Sequence, residues 1–310
     1  MKTAFLFPGQ GSQFVGMGRD LVRSSPLALA LFERASQISG IDIAASCFRG
    51  PLSRLSRTDV LQPCITAVNL ALLEELSVRS IRAEATAGHS LGEFSACVAS
   101  GLFSSETAIE LTARRGQLMH DASQSTPGTM AAIIGLSADR VETLIVDRCD
   151  PLMVGANFNA PDQTVISGPR ASIESLSAAI HDEGGRIVFL QVSGAWHSPA
   201  MNSALDSWKE AVRRVVMHPP VIELYMNVSG CVESDPSTIR LCMESQLVRP
   251  VRWTTILSNM YRSGVRRFVE IGPGTILRQL LRANPFPPDS YSVHSISDLR
   301  SIDNLLARTP

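Results

Sequence analysis

Residues Gly88-His89-Ser90-Leu91-Gly92 set a serine between two glycines. A serine hydroxyl becomes a useful nucleophile only when a base takes its proton. It is best presented on a sharp strand-to-helix turn that lifts Oγ clear of the backbone. Both glycines suit such a turn, because a side chain at either place would collide with neighbouring backbone. The plain alternative is a small residue at an ordinary turn, so context decides.

Six histidines could supply the base: His89, His120, His181, His197, His218 and His294. His89 adjoins the serine, but neighbouring side chains diverge at such a turn, and it reads as support for the turn. His120 and His181 fall in helical stretches, His218 precedes two prolines, and His294 lies near the C-terminus. His197 follows the strand-like RIVFLQV through SGAWHS, where the rhythm of the chain changes and a cleft between domains is expected. His197 is therefore the leading candidate among the six. No acidic residue stands beside it, so a backbone carbonyl is an alternative means of holding its tautomer.

Two further stretches complete a site. FPGQGSQ, residues 7–13, is glycine-rich but lacks the spacing of a dinucleotide or P-loop motif. The backbone N–H of Gln10 is expected to join that of Leu91 in an oxyanion hole. In ELTARRGQLMH, Leu111, Arg115 and Leu118 share one helical face, which turns Arg115 inward. A buried guanidinium needs an anion and is suited to a bidentate grip on a carboxylate.

The elements that must position these groups follow the apolar periodicity. Residues 3–7 (TAFLF) read as a buried strand ending at Pro8-Gly9, 64–79 as a helix, and 84–87 as a short strand into the serine turn. FSACVASGLF and TAIELTARRGQLMHDAS read as two helices. From residue 124 to 193 the order becomes β-α-β-β-α-β, a ferredoxin-like split unit, with PRASIESLSAAIHDEG as one helix whose inner face is Ile173, Leu176 and Ile180. The α/β pattern then resumes, with RRFVEIGPG as another strand. The expected fold is α/β: a hydrolase-like large domain with a parallel sheet and a nucleophile elbow, residues 1–123 and 194–310, and an inserted ferredoxin-like small domain, residues 124–193.

Bulk properties narrow the function. The chain has 310 residues, 45% hydrophobic and 18% charged, as expected of core-forming globular domains. A net charge of −1 gives no electrostatic case for nucleic acid or a membrane surface. No stretch is long and apolar enough to span a bilayer, and the N-terminal apolar run is too short for a signal peptide. The six cysteines, with no CxxC pair, read as reduced and mostly buried thiols of a cytoplasmic protein, with no zinc site.

FPGQGSQ, LQPCI (61–65), GHSLGE (88–93), ARRGQLM (113–119), NFNAPDQTVISG (157–168), GAWHS (194–198), PVRW (250–253) and EIGPG (270–274) occur in that order. Together they resemble the malonyl-CoA:acyl carrier protein transacylase family, including free-standing acyltransferases of polyketide synthases, nearly end to end. The resemblance implies that Ser90 carries the acyl group as an ester, with His197 as base and then acid. It implies an oxyanion hole at Gln10 and Leu91, Arg115 on the malonyl carboxylate, Gln62 and Asn159 lining the site, and the carbonyl of residue 249 orienting His197. Family members often have Asn where this chain has Arg249. Before the histidine, malonyl-using polyketide members often have Phe and methylmalonyl-using ones Ser; Trp196 is larger than either, which predicts malonyl over methylmalonyl. The implied partners are malonyl-CoA and an acyl carrier protein bearing phosphopantetheine, in fatty-acid or polyketide synthesis. No metal or redox cofactor is expected, and a monomer is. Rival readings are an acyl hydrolase that clears carrier proteins with the same Ser90–His197 pair, a transferase for another acyl-CoA, and a carrier-binding module with a relic site.

Overall fold

In a parallel sheet covered on both faces, strands are near-continuous apolar runs, and TAFLF is one. In the computed structural model, which describes residues 1–307, it lies within strand β1 (Lys2–Phe7). The last three residues of the expected 194–310 segment lie outside the described residues. β1 pairs in parallel with β2 (Ala85–Gly88) on one side and β9 (Val265–Ile271) on the other. The six-stranded sheet is completed by β7 (Glu223–Tyr225) and β10 (Ser292–Ile296), both parallel, and by the short antiparallel edge strand β8 (Val232–Glu233). β1 and β2 end side by side, Phe7 opposite Gly88, so FPGQGSQ and the serine turn emerge together at the carboxyl edge. That edge is where open α/β sheets hold ligands.

The helix expected at 64–79 begins earlier, at Thr58, and runs to Val78. Its residues from Val60 to Leu72 are all buried. It is therefore a central helix enclosed on all sides, and period alone cannot separate that from an amphipathic surface helix. The helix Ser105–Ser125 packs against it, with Ser104 capping Thr107 N–H. Gly116 makes the crossing close: a Cβ there would lie 2.7 Å from the Thr58 carbonyl oxygen. That approach brings Gln62 and Arg115 together.

The second sheet is antiparallel, in the order β4-β5-β3-β6, from β3 (Thr129–Ile134), β4 (Val154–Ala160), β5 (Gln163–Gly168) and β6 (Arg186–Phe189). Helix Ala138–Val146 follows β3. The single helix expected after β5 is two short ones, Arg170–Glu174 and Ser177–Asp182. Ile173, Leu176 and Ile180 remain buried across the break, so the apolar face survives while the helix is interrupted. β4 is tied to the chain before helix Trp253–Arg262: Val251 N–H donates to the Ala156 carbonyl and Phe158 N–H to that of Val251. This pair of hydrogen bonds sets Asn159 over the serine turn.

Candidate active site

Ser90 sits between β2 and helix Gly92–Ala99 with φ 50°, left-handed for a non-glycine residue. Its neighbours make that backbone obligatory. A Cβ on Gly88 would lie 1.9 Å from the Gly92 carbonyl carbon, and one on Gly92 would lie 2.0 Å from the Phe7 carbonyl oxygen. Asn227 braces the turn, its Oδ1 accepting from Ser90 N–H at 2.6 Å and its Nδ2 donating to the Gly88 carbonyl at 2.7 Å. The FPGQGSQ loop also approaches closely: a Cβ on Gly9 would lie 2.6 Å from the His89 carbonyl oxygen and 3.3 Å from Leu91 N. Among the described residues, neither the Gln10 nor the Leu91 backbone N–H has an acceptor.

His197 also has a positive φ, 58°, and is 2% exposed. Strained backbone of this kind persists where surroundings over-determine it. Its Nε2 lies 2.7 Å from Ser90 Oγ. Its Nδ1–H is shared between the Gln246 carbonyl at 2.9 Å and the Arg249 carbonyl at 3.1 Å. The carbonyl of residue 249 is thus present, but Gln246 supplies the shorter bond. Two carbonyl acceptors fix the proton on Nδ1 and leave Nε2 to accept from the serine. Burial, then the Arg115 cation, push the imidazole down to about 3, against the pull of the two carbonyls. The ring is therefore neutral at pH 7.

Arg115 is fully buried, while its neighbour Arg114 is exposed. Its Nη2 lies 3.3 Å from Ser90 Oγ, its Nη1 donates to Gln62 Oε1 at 3.0 Å, and its Nε donates to Gln246 Oε1 at 3.0 Å. Burial lowers it to about 10, with Glu93 acting the other way, so it keeps its charge at pH 7. Gln62 also donates to Gln10 Oε1 at 3.2 Å, and Gln10 Nε2 donates to Thr58 Oγ1. Ser90, His197, Gln10, Leu91, Arg115 and Gln62 thus gather at one place.

Asn159 and Trp196 stand one step back. Asn159 Oδ1 lies 2.8 Å from His89 Nε2, and the His89 ring meets Trp253 edge-on. His89 turns away from the serine and joins β4 to the turn, as its support role requires. Burial holds His89 below its ordinary value. Trp196 is 3% exposed, with its ring over Gly194, and its indole N–H has no partner among the described residues.

Sequence reasoning missed Glu93, Asn227 and Gln246. Glu93 Oε2 accepts from Asn227 N–H at 2.6 Å, and Oε1 accepts from Gln246 Nε2 at 2.5 Å. Burial pushes its carboxyl up to about 7, with those donors and Arg115 pulling down. One signal was readable: an acid three residues after Ser90 in the apolar helix GEFSACVA. Asn227 and Gln246 are 137 and 156 residues from Ser90, and nothing local marks them. The cysteines are all unpaired; Cys47, Cys64 and Cys97 are buried, but Cys149 and Cys231 are exposed and Cys242 is intermediate, so "mostly buried" holds for only half. No helix among the described residues is long and apolar enough to cross a membrane, and no three His, Cys, Asp or Glu residues form a metal-binding group there.

Residues 4–286 match the family model for the acyl transferase domain. A malonyl CoA-acyl carrier protein transacylase of Bacillus subtilis (strain 168) is 36% identical over 284 residues, 91% of this chain and 90% of that one. One from Haemophilus influenzae is 33% identical, covering 98% and 99%. Among solved structures, a malonyl-transacylase in complex with its type II PKS acyl-carrier protein superposes with a TM-score of 0.94 at 31% identity, covering all of both chains. An acyl carrier protein S-malonyltransferase from Vibrio cholerae gives 0.92 at 33% identity, covering 98% and 100%. With this fold, this cluster of groups and this end-to-end similarity, the chain belongs to the malonyl CoA-acyl carrier protein transacylase family of acyl transferases.

Proposed function

We propose that this chain moves a malonyl group from malonyl-CoA to the phosphopantetheine thiol of an acyl carrier protein, in fatty-acid or polyketide synthesis, by way of an ester on Ser90. The single observation that carries this reading is a serine Oγ 2.7 Å from His197 Nε2 with the buried Arg115 guanidinium 3.3 Å away. The first residue pair makes an acyl ester; the cation gives a reason for the acyl group to bear a carboxylate.

Ser90 Oγ attacks the thioester carbon as its proton passes to His197 Nε2. The Gln10 and Leu91 N–H groups hold the oxyanion. The tetrahedral intermediate collapses, the carbon–sulfur bond breaks, and CoA leaves as the thiol with the proton from His197. The carrier thiol then gives its proton to His197, attacks the ester, and Ser90 Oγ regains the proton. The malonyl carboxylate on Arg115 would offset the positive charge that helps hold His197 low, so the correct substrate raises the basicity of its own base. Gln62 orients Arg115 and Gln10 together; Asn159, held by His89, and Trp196 bound the acyl side. The protein groups supply every proton transfer, and we read the reaction as needing no metal or redox cofactor.

On this reading the serine turn is a nucleophile elbow. Residues 1–123 and 194–310 are a hydrolase-like domain, with 124–193 inserted as a ferredoxin-like one; the strand order β4-β5-β3-β6 supports that assignment. We further read the protein as a cytoplasmic monomer. Brief incubation with malonyl-CoA followed by intact-protein mass should show one malonyl adduct, absent in Ser90→Ala, cut at least ~100-fold in rate in Arg115→Ala, and discharged by carrier protein. An adduct formed equally well from acetyl-CoA would refute the carboxylate clamp. Discharge to water as fast as to carrier protein would favour the hydrolase.

A further inference from the structure

Glu93 has no place in the chemistry above, yet the site converges on it. It is fully buried on helix Gly92–Ala99, directly under the serine turn. Its two oxygens reach two residues that between them touch every reacting group. Through Asn227 it holds the Ser90 backbone N–H. Through Gln246 it reaches both other groups, because the Gln246 carbonyl accepts from His197 Nδ1 and its side-chain Oε1 accepts from Arg115 Nε.

The Gln246 side chain carries the informative asymmetry. An amide has one acceptor oxygen and one donor nitrogen, and a half-turn exchanges them. Its nitrogen donates to Glu93 Oε1 at 2.5 Å and to the Ser90 carbonyl at 3.3 Å; its oxygen faces Arg115 Nε at 3.0 Å. An arginine only donates and a carboxylate only accepts. With the amide turned over, oxygen would face oxygen at Glu93 and N–H would face N–H at Arg115. We propose that Glu93 is the positioning residue of the carboxylate clamp: its acceptor-only carboxylate fixes the Gln246 amide with oxygen toward Arg115, and so aims the guanidinium at the acyl site. The inference rests on the reading of Arg115 as the malonyl clamp.

Glu93→Gln preserves shape and reverses this logic. The amide introduced there can offer its oxygen to Asn227 N–H, and its nitrogen then faces Gln246. The Gln246 amide turns to accept, and Arg115 Nε is left against a donor. Asn227 still braces Ser90 N–H and the Gln246 carbonyl still accepts from His197; the Ser90 carbonyl loses only its longer Gln246 contact, at 3.3 Å. The predicted loss is therefore selective for acyl groups that carry a carboxylate.

The experiment compares two second-order rates on the full chain at pH 8, above the value of about 7 for Glu93. One is malonyl adduct formation from malonyl-CoA; the other is Ser90 labelling by a neutral fluorophosphonate, which has no carboxylate to clamp. In Glu93→Gln the malonyl rate should fall about tenfold or more, mainly through a weaker apparent affinity, with labelling within about threefold of wild type. Gln246→Met keeps the backbone carbonyl for His197 and removes the amide. It should give the same selective loss, and Glu93→Gln on top of it should add no further selectivity. It also serves as the test should Glu93→Gln not fold. A parallel fall of both rates, an unchanged malonyl rate, or additive losses in the double variant would each overturn the proposal. Arg115→Ala separates the two levels: if it malonylates at the wild-type rate, the clamp itself is wrong. If it alone loses malonylation, the clamp stands and the role of Glu93 falls.

Discussion

The Ser90 and His197 turns place the proposed nucleophile and base with nearly the same unusual backbone, φ 50° and 58°, but they are built differently. The Ser90 turn is squeezed by the two glycines that flank it. Gly88 and Gly92 press on each other and Gly92 presses on Phe7 of the adjoining strand, so close backbone packing fixes the serine, with Asn227 as a brace. The His197 turn is flanked by Trp196 and Ser198, and its ring is aimed by carbonyls 49 and 52 residues away in sequence. The proposed nucleophile is held by close backbone packing around its flanking glycines; the proposed base is aimed by two carbonyls distant in sequence.

The largest effect should come from breaking the local turn. Gly92→Ala puts a methyl carbon 2.0 Å from the Phe7 carbonyl oxygen, backbone against backbone, where no rotamer can yield. The loss should exceed about 4 kcal/mol, read by denaturant unfolding. Gly194→Ala beside the base is the counterpart. Its added carbon would meet the Trp196 ring at 2.4 Å, a side chain able to shift. It should unfold less readily than Gly92→Ala and lose acylation instead. Equal destabilisation by the two would erase the distinction between the turns.

That difference also explains what the sequence disclosed. Ser90, Gln10, Leu91 and the inward face of Arg115 were legible because glycine spacing and helical period are short-range signals. The β-α-β-β-α-β order of 124–193 was legible for the same reason, and the break near Leu176 was not, because the apolar face continues through it. The carbonyl partner of His197 was legible only through family resemblance, and incompletely: Arg249 was expected, while Gln246 makes the shorter bond. Glu93, Asn227 and Gln246 form a network joined across 134 and 153 residues of sequence, which no local pattern encodes.

A smaller effect tests how the base is held. Burial first and Arg115 second push His197 down to about 3. A depressed imidazole stays neutral until the pH approaches that value, so Ser90 labelling by a neutral phosphonate should stay flat from pH 8 to pH 5. An imidazole of ordinary value, ~6.5, would lose about 30-fold over that range. In Arg115→Ala the second-largest of the depressing causes is gone, and the acid limb should move upward. A wild-type limb near 6.5 would mean that the base is solvated and that tertiary contacts do not set its protonation.

The smallest effect concerns the bulk beside the base. The Trp196 N–H is buried without a partner among the described residues, so Trp196→Phe removes no hydrogen bond and should leave the choice of acyl group nearly unchanged. Trp196→Ser removes the ring, and a methyl branch is worth only ~1–3 kcal/mol of discrimination, so methylmalonyl should gain about tenfold against malonyl in direct competition. The ring lies over Gly194, which ties acyl preference to the segment that leads into the His197 turn. If both variants shift the preference equally, it is set by how the turn is held; if only Trp196→Ser does, it is set by volume. Wild type accepting both thioesters at equal rates would remove the steric argument altogether, leaving Trp196 as a packing residue of the base alone.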